Sequence, residues 1–110
     1  MLGKRKIEVP ILPNERVYVV AKKIVVNKEL KNQERELDEY KALEVKCSHI
    51  SINKTGEMKI LLAGHTDMGE EFFYSFNKWV FPNDFGKSVY YSYKEAKKEE
   101  ERRNENSIKV

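Results

Sequence analysis

The chain has one cysteine, Cys47, so it can form no internal disulfide, and a reducing cytoplasm is its expected setting. Long apolar runs are missing too. KIVV and KILLA are strand-length, far short of the ~20 residues that span a bilayer, so no membrane association is expected. There are five glycines, none spaced to cradle a phosphate, and no G-x-S-x-G. Nucleotide chemistry and a serine nucleophile on an elbow turn are therefore not expected, and neither is a cofactor. Two of the three prolines, Pro10 and Pro13, break up the start, MLGKRKIEVPILP. That stretch is basic, but its apolar part is too short for a secretory signal.

What is present fits one domain of 110 residues, 40% hydrophobic and 35% charged, long enough to bury one core without staples. The net charge of +3 is uneven. Residues 1–23 hold six basic side chains (Lys4, Arg5, Lys6, Arg16, Lys22, Lys23) against Glu8 and Glu15, a net +4; the remainder holds 15 basic and 16 acidic residues, a net −1. A basic arm on a near-neutral body suits attraction to phosphate or to an acidic partner.

The predicted organisation is an extended basic arm over 1–15, a β domain over 16–92, and a charged C-terminal helix and tail over 93–110. RVYVVA (Arg16–Ala21) is β-branched and aromatic and predicts a strand, which KIVV either continues or follows. Residues 27–42, NKELKNQERELDEYKA, interrupt the domain as a charged insertion. Their composition favours helix, but Leu30, Leu37, Tyr40 and Ala42 make too thin an apolar stripe, and a charged loop fits equally.

Leu43–Asn53 and Glu57–Gly64 predict a hairpin through NKTG, with Gly56 free to take positive φ. Alternation slips phase between Cys47 and Ile50, the mark of a bulge or of two buried faces. KILLA reads as a central strand. HTDMGE makes a second turn, with Gly69 as its permissive residue, into a strand EFFYSF that puts Phe72, Tyr74 and Phe76 on one face and Phe73 and Ser75 on the other. Ten of the 12 aromatic residues lie between Phe72 and Tyr93 and are expected to supply much of the core. A turn at Pro82–Gly86 and a short strand at Val89–Tyr91 follow. Ser92-Tyr93-Lys94-Glu95 is a capping box that starts a helix at Tyr93. From Lys98 to Ser107 this helix is wholly charged or polar, so only its first turn or two are expected to pack, with the rest in water.

Three chemistries are weighed. Cys47, His49, His65 and Asp67 would be a plausible zinc set. Pairing Ile52 with Met58 places Val45 opposite His65, Cys47 opposite Ala63 and His49 opposite Leu61. His49 and His65 are then about 13 Å apart, a shift by one residue moves His65 to the opposite face from Cys47, and neither register gathers all four, so no metal site is expected. Asp67 has a simpler turn role ahead of Met68-Gly69. Cys47 and His49 lack a third orienting group, so a nucleophile pair is not expected, nor enzymatic activity. Tyr74, Trp79, Tyr90 and Tyr91 with Lys78, Lys87 and Lys94 between them could stack nucleic-acid bases, but core use accounts for most of these rings.

From Trp79 to Glu99, WVFPNDFGKSVYYSYKEAKKE resembles the C-terminal signature of a widespread group of small proteins of phages, prophages and other mobile elements of Gram-positive bacteria. Asp84-Phe85-Gly86-Lys87, Val89-Tyr90-Tyr91 and Ser92-Tyr93-Lys94-Glu95-Ala96 carry the likeness, with the RVYVV strand and the KCSHISINKTGE hairpin; it covers about half the chain. Residues 27–42 depart from it, as do tyrosines where Phe-Leu is commoner. The resemblance implies a small β-barrel-like domain and carries over no catalytic residue.

The expectation is therefore an α+β domain: a small curved antiparallel sheet of four or five strands, SH3-like, with a C-terminal helix. The expected role is non-catalytic. It is a protein-binding module of phage or mobile-element type in a bacterial host cell, with inhibition of a host-defence effector, as anti-CRISPR proteins do, as one version. Nucleic-acid binding through the basic arm and exposed aromatics is the alternative, and homo-oligomerisation is open. Candidate contacts are Lys4, Arg5, Lys6, His65, Asp67, Phe73, Lys78, Trp79 and Lys87.

Overall fold

The computed structural model of the chain describes residues 9–27, 29, 33–67 and 71–108. The predicted arm residues Lys4, Arg5 and Lys6 and the turn at Met68-Gly69 lie outside them. The fold is α+β. Five strands, β1 (Arg16–Asn27), β2 (Gln33–Ile52), β3 (Met58–Asp67), β4 (Phe72–Val80) and β5 (Val89–Tyr90), precede one helix, α1 (Tyr93–Ile108). The sheet is antiparallel, in the order β2-β3-β4-β1-β5. β1 pairs with β2 as well, so the four longer strands form a ring of pairings.

The β2–β3 hairpin forms where alternation and the NKTG turn predict it. The Asn53 side-chain oxygen accepts from the N–H groups of Thr55 and Glu57 at 3.0 and 2.8 Å, and Gly56 takes φ 86°. The phase slip is a bulge. Ile52 faces Met58 and His49 faces Leu61, but Cys47 faces Leu62, so Ser48 is the extra residue. This corrects the expected pairing of Cys47 with Ala63: Lys46 takes that place.

Residues 33–42 are neither helix nor loop. They are the first half of β2, a 20-residue strand, paired with Val20–Asn27 of a β1 that runs on through KIVV. Cross-strand partners outweigh helix-favouring composition here. Lys22 bridges Asp38 at 3.5 Å and Lys23 bridges Glu39 at 3.1 Å, each exposed pair worth little alone but set on a continuous ladder.

The core is more aliphatic than expected. Val17, Val19, Val45, Ile60, Leu62 and Val89 are its most deeply buried large side chains. Among the ten clustered aromatics only Tyr74 and Tyr90 are buried, and Phe72, Phe76 and Phe85 pack partly against the core. β-Branched chains from β1–β3 fill the interior, and several rings are left at its margins. Ile11, ahead of β1, is also in the core, and the backbones of Asn14 and Glu15 bond to that of Cys47 at 2.9 Å.

Helix α1 starts at Tyr93, as the capping box predicts. The Ser92 hydroxyl accepts from the Glu95 N–H at 3.2 Å, and the Glu95 carboxylate takes the Ser92 hydroxyl rather than its N–H. The rest of the helix corrects the expectation of a solvated rod. Glu100 is 6% exposed and accepts from the Ala42 N–H at 2.7 Å. One turn on, Asn104 accepts from the Tyr40 N–H at 2.8 Å and donates to the Tyr40 carbonyl at 3.0 Å. A four-residue helix step rises about 6 Å and a two-residue strand step about 6.6 Å, so the two repeats match. Cys47 turns its backbone groups towards the segment ahead of β1, so Tyr40 and Ala42, on the other parity, turn theirs away from it. Polar helix side chains thus stand in for a neighbouring strand along β2. Ala96 completes the contact in a small second cluster with Ala42 and Tyr90.

Candidate functional site

On β3, Ile60 and Leu62 point into the core, so Lys59, Leu61, Ala63 and His65 project from the outer face. Register sets Trp79, Asn77, Ser75 and Phe73 beside them on β4. Two aromatic groups mark the ends of this face, about 20 Å apart at 3.3 Å per residue. At one end Trp79 is 44% exposed and Phe81, just past β4, is 47% exposed. The Lys59 ammonium lies 4.8 Å from the Trp79 ring centroid. At the other end the rings of His65 and Phe73 are 5.2 Å apart. Between them Ala63, Gly64 and Ser75 leave a shallow saddle. Small side chains flanked by large ones make a relief that another surface can fit.

Three predicted contacts, His65, Phe73 and Trp79, therefore share one face. Asp67 ends β3 opposite Phe73. Lys78 projects from the other side of β4, with its ammonium 5.7 Å from the Phe76 ring, and lines a cleft between β4 and β1. Lys87 is exposed in the turn before β5, where its carbonyl accepts from the Tyr90 hydroxyl at 2.6 Å. Neither lysine joins the outer face. Sequence reasoning missed Lys59, Leu61 and Phe81. Alternation along KILLA could have found the first two, because it puts them outward with His65.

The candidate metal set is split. Cys47 is 1% exposed in the core, while His49 and His65 are exposed. Burial, with the Glu15 carboxylate adding to it, holds the Cys47 thiol above its ordinary pKa, the reverse of what a thiolate ligand or nucleophile needs. Among the described residues no group of three or more His, Cys, Asp or Glu could hold a metal ion. Among them too, no helix is long and apolar enough to cross a membrane.

No family model matches the chain, no curated protein matches it, and no solved structure matches it.

Proposed function

We propose that the chain is a non-catalytic protein-binding module of phage or mobile-element type, acting in the cytoplasm of a bacterial host and docking through the outer face of β3 and β4. The observation that carries this reading is the pair of half-exposed rings, Trp79 and Phe81, beside Lys59 at the end of that face. Exposed aromatics on a rigid sheet, edged by a cation, are the usual anchors of a protein interface. The ring of strand pairings supports an SH3-like barrel as the scaffold. Inhibition of a host-defence effector is one form such docking would take. The test is affinity capture from a Gram-positive host lysate with the wild-type chain and with a Trp79→Ala/Phe81→Ala variant of unchanged fold by circular dichroism. Loss of a captured protein with the variant supports the reading; identical captures sink it.

One observation favours nucleic-acid binding as a second reading: the Lys59 ammonium over the exposed Trp79 ring makes a cationic stacking platform. A shift assay with single-stranded DNA and RNA at about 50 mM and about 200 mM salt separates the two. Binding that collapses at the higher salt supports this second reading, and no binding at the lower salt ends it.

A further inference from the structure

β4 pairs with β3 from Phe73 to Val80, but with β1 only through Phe72, Phe73 and Tyr74. Farther along, β1 turns to another partner: Val19 and Tyr18 pair with Val89 and Tyr90 of β5. The two strands therefore split. The Val26 N–H donates to the Glu71 carbonyl at 2.9 Å, across the β1–β4 ladder. Alternate residues of an antiparallel strand turn their backbone groups to the same neighbour, so 73, 75, 77 and 79 turn theirs towards β1. Past the last paired residues, Asn77 and Trp79 have no β1 residue opposite them. Among the described residues no turn or loop backbone takes their place. Beside them, Ser75, Phe76 and Lys78 of β4 and Ala21 and Lys22 of β1 line a cleft of about 250 Å³ between the two strands. Ala21 and Phe76 contribute apolar lining, and Lys22, Lys78, Arg103 and Glu36 give it an excess of positive charge. Lys22 is offset by Asp38 at 3.5 Å and Arg103 by Glu99 at 3.5 Å. Lys78 faces a ring, with no acidic partner among the described residues.

We propose that this split is a strand-accepting site that takes an extended, acidic segment of a partner protein, paired along the Ser75–Trp79 edge of β4. An open edge with backbone donors and acceptors is the recognition surface of strand addition, in which ladder hydrogen bonds give affinity and alternate side chains give selectivity. Five residues of edge span about 16 Å, room for a short strand. The apolar lining takes a small apolar side chain, and Lys78 takes a neighbouring carboxylate. The inference rests on the protein-binding reading but uses a different surface, because Lys78 lines the cleft while the neighbouring Trp79 ring projects from the outer face.

The test is amide hydrogen exchange by NMR on the full chain, with a capped heptapeptide of alternating glutamate and valine. Its counterpart with lysine for glutamate is the control. The glutamate peptide is expected to slow exchange at the Asn77 and Trp79 amides at least about tenfold. The lysine peptide is expected to do so only in a Lys78→Glu variant, a surface change that keeps the fold. A glutamate peptide N-methylated at alternate residues is expected to lose the effect. Unchanged exchange at millimolar peptide overturns the proposal. So does equal protection by both peptides, or protection confined to Lys59–His65. If the peptide fails while the Trp79→Ala/Phe81→Ala variant still loses a captured protein, only the strand-accepting site falls. If the peptide binds and captures are identical, only the outer-face reading falls.

Discussion

The Glu100 carboxylate, on the second turn of the helix, closes onto the backbone N–H of Ala42 at 2.7 Å, 58 residues earlier in the chain. Lys97 bonds its other oxygen. Glu100→Ala is expected to lower stability by about 1–3 kcal/mol, the cost of a buried donor left without its acceptor. Glu100→Gln keeps an oxygen for Ala42 and is expected to cost less. Urea denaturation of the two variants checks the order, and equal losses would refute the backbone bond as the cause.

Asn104 is expected to show a graded response. Asn104→Ala removes both bonds to Tyr40, at about 1 kcal/mol each. Asn104→Asp keeps the acceptor for the Tyr40 N–H and loses the donor to its carbonyl. Amide exchange at Tyr40 is expected to speed up strongly in the first variant and weakly in the second.

Gly64 is required by close approach rather than by its backbone angles. A Cβ there would lie 2.4 Å from the Glu44 carbonyl oxygen and 2.8 Å from Cγ1 of Val45. Gly64→Ala is expected to cost about 1–3 kcal/mol, because β2 and β3 must part to admit a methyl group. An unchanged denaturation midpoint would contradict this.

Cys47 is expected to react slowly with a soluble disulfide reagent in the folded chain and at once in denaturant. Its thiol is buried and its pKa is raised. Fast native labelling at neutral pH would place it nearer the surface.

Acid is expected to loosen the middle of the helix. Hydrogen bonds from Arg102, opposed in part by burial, hold the Glu99 carboxyl below its ordinary pKa. A depressed folded value stabilises fully above the unfolded value of about 4.3, and the stabilisation is lost as pH falls through the lower, folded value. Denaturation midpoints measured down that range are expected to drop less steeply in Glu99→Gln than in the wild type.

What could be read beforehand was local. Gly56, Ser92 and the slip after Cys47 announce themselves within a few residues, and the hairpin, the helix start and the bulge followed. Alternation along EFFYSF put Phe73 outward with the strand face that also carries Trp79. Residues 33–42 were not legible as a strand, because their partners are Val20–Asn27 and two side chains of a distant helix. Glu100 and Asn104 leave no apolar period, since what they bind is backbone. Lys59 was passed over because a strand lysine reads as solvated until Trp79 is placed beside it.

The bulge at Ser48 works like a reading frame. Before it, odd-numbered residues of β2, Val45 and Cys47, are buried; after it the even-numbered Ile50 takes the core side. Deleting Ser48 alone would set His49 directly after Cys47 with Leu61 and Leu62 still opposite them and leave both flanks on their present sides, whereas deleting a residue from the regular ladder on either side would turn one flank to the wrong face, as a lost letter garbles the text that follows it. Length is thus more tightly constrained on either side of Ser48 than at the bulge itself, and a variant that loses this one residue is expected to keep its phase and fold.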